Sequence, residues 1–339
     1  MQTSRFGRIC FSAVILFALS HCTYAQAQSA IEHEQTLALP NHPGELAWTA
    51  PGFKITQNSA KPGGGEIGVR AQDASGRIGL LGFLFLFPEE APMTSAKCRD
   101  GVLGPEKKAV ATYRELSSSE SPRSGGISVA TVSYSVTGSD HMVHYSLRSF
   151  VASGDICGDL EIYSSEPIHS EDAGIQPILA SYRLDPGHKP DFADVSKYAE
   201  VLFRTQQYKD AALLYEQALG MVPADGAPFP SAKLARRIVT DQAGMAYGIS
   251  GQYGKARAIF EAGVATDPEY PMYYYNLACA DAGENKLEAA KAHLEQAFAH
   301  KAGINPGEPL PDPTKDDSFL PYKGNTGFWG ALQRMQAGN

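Results

Sequence analysis

The stretch "QYGKARAIFEAGVATDPEY", residues 252–270, restates "QYKDAALLYEQALGMVPAD", residues 207–225. With Tyr208 set on Tyr253, Ala211 falls on Ala256, Tyr215 on Phe260, Ala218 on Gly263 and Pro223 on Pro268. A looser copy starts at Asn285, "NKLEAAKAHLEQAFAHKAG", and puts Leu287, Ala290, Leu294 and Ala297 at the same offsets. Upstream, "YAEVL", "AGMAY" and "LACAD" align Ala199, Gly244 and Ala278. The copies are 45 and then 34 residues apart. A repeat of this period is a helical hairpin that cannot bury its own apolar faces, so copies must stack on one another.

The small residue in the first helix, the Tyr before the second, the Ala pair and the closing Pro resemble the tetratricopeptide repeat, over residues 192–303. Small residues such as Ala211 and Ala256 let backbones approach, Tyr208 and Tyr253 fill the turn, and Pro223 and Pro268 stop the second helix. The chain from 189 to 311 reads as three repeats, 192–225, 237–270 and 271–303. The eleven residues "GAPFPSAKLAR" between the first two read as a loop plus an added helical turn. The third copy has Asp281 where the second has Tyr247, and Ala302 where Pro is expected. Residues 312–339 read as capping helices, with Phe319, Leu320, Phe328 and Trp329 covering the last repeat's apolar edge.

The resemblance implies a concave groove lined by the first helix of each pair, hence a protein or peptide partner. Groove candidates are Phe203, Ile238, Asp241, Met245, Met272, Tyr275 and Asn276, with Ser196, Glu200 and Cys279 beside them. Of the consecutive Tyr273, Tyr274 and Tyr275, not all can be buried on one side. Tyr274 reads as packing, and Tyr275 as either packing or a groove contact. No Lys or Arg stands among these positions, so a clamp on a terminal carboxylate is not expected, and an apolar or basic segment suits the groove better.

The first half reads differently. "FKITQN", "EIGVRAQ", "IGLLGFLFLF", "GISVATVSYSV", "HMVHYSLRSFV" and "CGDLEIYSS" are short, β-branched and aromatic, and are separated by turn-forming residues. "TGSD" between two of them predicts an antiparallel hairpin. "PEKKAVATYREL" and "SEDAGIQPILASYRL" read as helices. The fold class is therefore an α+β domain, antiparallel sheet with packed helices, at 45–188, followed by an all-α repeat domain. The meander ending in "CGDLEIYSS" and then "ILASYRL" resembles the PsbP-like α/β/α domains of exported bacterial proteins. That likeness implies a compact binding or accessory domain and transfers no catalytic residue.

Arg5 and Arg8, an apolar run and "TYAQAQ" read as a signal peptide, residues 1–27, cleaved after Ala27 or Ala25. Lipidation at Cys22 is the alternative, with His21 against it. A flexible leader, 28–44, follows. The expected location is exported, periplasmic or secreted. The longest later apolar run, residues 78–87, is too short to span a membrane. Oxidising conditions would pair Cys98 with Cys157 and leave Cys279 free and half-buried.

Of 339 residues, 37 are Asp or Glu and 29 Lys or Arg, which disfavours a nucleic-acid partner. No phosphate loop, G-x-S-x-G, H-E-x-x-H or C-x-x-C occurs. His141 and His144 stand three apart, which on a strand aims them at opposite faces. The expectation is no enzyme, no cofactor and no metal site. The chain reads as a scaffold or assembly protein of the bacterial cell envelope acting through its groove. The alternative is an envelope protein that binds a small molecule or lipid through its first domain, and an enzyme with an unrecognised site comes last.

Overall fold

The computed structural model describes residues 34–123, 126–139, 141–222 and 232–338. The signal peptide, Cys22, most of the leader, Pro223 and the first part of the eleven-residue insertion lie outside them. The chain divides into two compact units at Thr205 and Gln206.

The first unit holds a seven-stranded antiparallel sheet: β3 (Phe53–Ala60), β4 (Glu66–Asp73), β5 (Ile78–Leu86), β6 (Arg114–Pro122), β7 (Ser128–Thr137), β8 (Val143–Ser153) and β9 (Ile156–Ser164), in the order β3-β4-β5-β9-β8-β7-β6. The expected hairpin is present, with Thr137 opposite Val143 and a turn closed by Gly138 N–H donating to Met142 O at 2.9 Å. His141 sits in that turn at φ 63° and His144 on β8, so the two histidines are separated by the turn and not only by the strand's alternation. A second sheet of β1 (Gln35–Ala38), β2 (Glu45–Trp48) and β10 (Arg183–Asp185) lies over one face of the first. Leu46 and Trp48 reach the large sheet because Gly158 and Gly82 stand beneath them; a Cβ on Gly82 would lie 2.5 Å from the Trp48 ring. The expected flexible leader thus carries a buried strand at its end, with Leu37, Ala38 and Leu39 all buried.

Helix α1 (Ser95–Ala109) covers the opposite face, over β7, β8 and β9. It begins at Thr94, whose hydroxyl accepts Lys97 N–H at 3.2 Å, well before the helix expected at "PEKKAVATYREL". The "REL" of that stretch opens strand β6. Cys98 of α1 is bonded to Cys157 of the central strand β9, as expected. Around the bond lie Leu103, Val132, Tyr134 and Phe150. Beside it Arg148 is buried, donating to Asp159 through Nε (3.2 Å) and Nη2 (2.5 Å) and to Glu106 of α1 through Nη1 (2.8 Å). Burial works against the guanidinium's charge, but Asp159 and Glu161 overcome it and hold Arg148 protonated.

A short helix α2 (Gln176–Ser181) leads to α3 (Phe192–Arg204), which opens with an Asp191/Asp194 capping box. Helix α3 belongs to the first unit, not the second as the repeat pattern implied. Its Tyr198 hydroxyl lies between the carbonyl oxygens of Lys61 (2.7 Å) and Glu66 (2.6 Å), and Lys197 Nζ donates to Thr36 O at 2.6 Å. The layers of this unit are thus helix, large sheet and small sheet. The PsbP-like likeness rests on element order alone.

The second unit is helical: α4 (Tyr208–Gly220), α5 (Ala232–Ile249), α6 (Tyr253–Thr266), α7 (Pro271–Gly283), α8 (Leu287–Ala299) and α9 (Thr326–Ala337). Helix α5 includes "AKLAR", the added turn expected from the insertion. Consecutive helices pack pairwise, and α5 also packs on α7, the first helix of the next pair. The aligned positions are buried throughout: Ala211, Ala256 and Ala290; Tyr215, Phe260 and Leu294; Ala218, Gly263 and Ala297. The turns repeat as well. Gln206 (φ 64°), Gly251 (φ 78°) and Asn285 (φ 60°), each two residues before a second helix, all take the left-handed conformation that ends a helix. Asp281, the departure in the third copy, is compensated by Arg257 from α6 and His293 from α8, both at 2.6 Å.

Candidate functional site

Helices α5 and α7, the first helices of the second and third pairs, pack on each other and so share one side of the array. Residues 304–319 form a non-helical strap, and its side chains meet that side. At its start Arg237 of α5 donates through Nη1 to Gly303 O (2.9 Å) and Asn305 Oδ1 (3.0 Å), while its Nε pairs with Asp267 at 2.6 Å. The same guanidinium lies 4.5 Å above the Tyr270 ring. Tyr270 donates to the Glu308 carboxylate, 2.9 and 3.0 Å from its oxygens, and accepts Asn305 Nδ2–H at 3.2 Å. Tyr275 donates to Asp316 Oδ2 at 3.1 Å.

At the strap's end Phe319 is fully buried, edge-on to Tyr275 with centroids 6.0 Å apart and 6.1 Å from Phe328 of α9. Tyr322 then donates to Ala282 O of α7. The capping role expected of Phe319 and Phe328 is visible in these contacts. Leu320 is exposed and does not share it, because its backbone has already turned away in a 3-10 turn, Leu320–Tyr322. Trp329 is half-buried, with Lys323 Nζ 5.9 Å from its ring.

The seven groove residues named from sequence divide. Asp241, Met245, Met272, Tyr275 and Asn276 are buried, and Ile238 is half-buried on α5. Phe203 is half-buried on α3 and so lies in the other unit. Asn276 donates to the fully buried Asp241; burial, with the charge of Glu308, pushes the Asp241 carboxyl well up. Burial likewise pushes Glu308 and Asp316 up. Cys279, expected half-buried, is buried; burial and the nearby Asp316 raise its thiol well above the ordinary range. Tyr274 is half-buried and stacks on His300 at 5.3 Å, as its packing role required.

Two features escaped the sequence. Arg237 is a groove cation, against the expectation of none. It stands four residues before Asp241 and so on the same helical face, which was the available signal. The tyrosines also act as hydroxyl donors to carboxylates and not as apolar surface, so the face as built receives acidic rather than basic groups.

In the first unit, Glu45, His188 and Asp194 bring possible metal-ligating atoms within 4.8 Å of one another. His188 Nε2 and Asp194 Oδ2 are 2.7 Å apart, and the same oxygen accepts Asp191 N–H at 3.0 Å, so the helix cap already engages it.

No known family's sequence profile matches the chain, and no curated protein does. Similar solved structures include the Sgt2 TPR domain from Aspergillus fumigatus, at 22% identity over 42% of this chain and 85% of that one, TM-score 0.31. Another is the first TPR domain of human RPAP3, at 14% over 42% and 95%, TM-score 0.30. A third is the Yersinia enterocolitica type III secretion chaperone SycD with a peptide of the translocator YopD, at 15% over 43% and 92%, TM-score 0.29. Likenesses this distant carry no inference about this chain. Its resemblance to the tetratricopeptide repeat rests on its own aligned small residues and repeated left-handed turns.

Proposed function

We propose that this is a non-catalytic, exported protein of the cell envelope whose helical unit holds a protein or peptide partner on its concave face. One observation carries the reading: α5 and α7 already accommodate a non-helical, turn-rich segment there, through Arg237, Tyr270 and Tyr275. Stacked helical hairpins generate such a face by their curvature, and its side chains are free to specialise because the hairpins hold each other. The test is a photo-crosslinking residue at Ile238, with Glu295 on the outer helix α8 as control, in cells that make the protein. The expected result is a discrete crosslinked protein from position 238 and none from 295. Crosslinks at 238 no different from those at 295 refute the reading. Amino-terminal sequencing of the protein from the envelope fraction tests export, with cleavage after Ala27 expected.

A further inference from the structure

The strap is built like a bound ligand. Between Gly303 and the 3-10 turn at Leu320 it has no helix or strand. Its backbone bonds close on itself: Glu308 N–H to Asn305 O, Lys315 N–H to Asp312 O and Phe319 N–H to Asp316 O, each at 3.0 Å. Among the described residues, none of its backbone groups pairs with the backbone of α5 or α7. What holds it is side chains: Asn305 at Arg237 and Tyr270, Glu308 at Tyr270, Asp316 at Tyr275 and Phe319 against Tyr275. Exposed positions such as Pro306, Gly307, Pro309, Lys315 and Asp317 are interspersed with these anchors and with the buried Pro311, Pro313 and Ser318. A segment fixed at separate side-chain anchors can leave without unfolding the helices that receive it.

The surface it would uncover is a row of donors, the Arg237 guanidinium followed by the Tyr270 and Tyr275 hydroxyls, ending at an aromatic slot. Lys233, Arg236, Arg237 and Tyr273 line an open cleft of about 290 Å³ together with Asp267, which pairs with both Lys233 and Arg237. The two carboxylates of an acidic segment, standing where Glu308 and Asp316 stand, would meet the Tyr270 and Tyr275 hydroxyls, while Arg237 is already paired with Asp267 and needs only a neutral acceptor such as Asn305.

We infer that residues 304–319 are a displaceable occupant of the concave face, and that the partner replacing them is a non-helical, turn-forming acidic segment. It carries two carboxylates at the strap's spacing, that of Glu308 and Asp316, followed by an aromatic residue where Phe319 stands. This rests on the proposed function and adds its partner's chemistry and its control. The strap competes in cis, so the partner's apparent affinity is reduced by the fraction of molecules in which the face is open.

The test uses the full chain and a fluorescent peptide of residues 305–322, read by anisotropy. The doubly substituted chain Asp316→Asn, Phe319→Ala is expected to bind the peptide at least tenfold more tightly than the unsubstituted chain. A peptide with Glu308→Gln and Asp316→Asn should bind at least tenfold more weakly. A substituted chain with native helical circular dichroism that binds no peptide, or binds it no better than the unsubstituted chain, overturns the inference. Should the substituted chain not fold, hydrogen exchange on the unsubstituted protein decides. The amides of Glu308, Lys315 and Phe319, bonded within the strap, exchanging at least tenfold faster when the 305–322 peptide is added in excess support displacement, and rates the peptide does not change overturn it. Crosslinking at Ile238 stays separate: a partner there whose yield ignores the strap substitutions leaves the function standing and removes only the competition.

Discussion

Gly244→Ala tests the packing that builds the concave face, because two effects on the same residue have opposite signs. Gly244 is in the middle of α5, where exchanging glycine for alanine in an isolated helix gains about 1 kcal/mol. In the hairpin a Cβ would fall 2.2, 2.5 and 2.7 Å from the ring atoms of Phe260 on α6. Phe260 is fully buried, so the ring has no solvent to move into and the helices must part. Overpacking of this severity costs about 3 kcal/mol, the upper part of the usual range, leaving a net loss of about 2 kcal/mol. In a helical unit of roughly 130 residues that is a fall of about 6–10 °C in melting temperature. Circular dichroism at 222 nm on the full chain reads it, with Gly254→Ala as internal control. Gly254 is also helical, has nothing within 4 Å of a Cβ, and should gain up to about 1 kcal/mol. A melt unchanged or raised by Gly244→Ala would mean that α5 and α6 do not approach as closely as the repeat register requires.

Burial raises Asp241, Glu308 and Asp316, so their contribution to stability is fully present below the ordinary carboxylate range and lost as pH rises through their folded values. Lys286 and Arg257 depress Glu284, and Arg237 and Lys233, working against burial, depress Asp267, which gives the opposite limb as pH falls. Urea unfolding of the helical transition should therefore be most stable near pH ~4–5 and decline toward neutrality, with Asp241→Asn flattening the decline; a steady rise from pH 4 to 7 contradicts the assignment. In the first unit, replacing Cys98 and Cys157 together by Ala frees a loop of 59 residues in sequence separation, and the loss should approach about 4 kcal/mol. A Trp329→Phe background leaves Trp48 alone to report that transition by fluorescence, and an unaltered midpoint would show that the bond contributes nothing. In the same background Arg148→Met strands Asp159 without its partner and should cost about 3–5 kcal/mol, whereas replacing both with apolar residues should recover part of it.

The helical unit was legible because its information is redundant. The same offsets recur in each copy, so Ala211, Ala256 and Ala290 identify one another even where Leu287 replaces a tyrosine. The strap has no such redundancy. It lacks a period, its prolines suggest only a linker, and its partners lie 38 and 41 residues back along the chain at Tyr270 and Tyr275. Of the two roles open to Tyr275, packing or groove contact, the choice waited on the strap, whose Asp316 and Phe319 cover it. In the first unit the long apolar strands were readable, but β6 has all nine residues exposed and hence no alternation to find. Helix α1 carries Gly101, Gly104 and Pro105, which argue against a helix locally and are outweighed by the burial of Cys98 and Leu103 against the sheet. The strands of the small sheet have four, four and three residues, too few for a period of two to be recognised.

The allegiance of α3 governs where the gene can be cut. A break at 188 follows the repeat pattern, but it would take Tyr198 away and leave Lys61 and Glu66 without the phenol that bridges them. Severing after Thr205 instead keeps α3 on the strand β3 that it packs against.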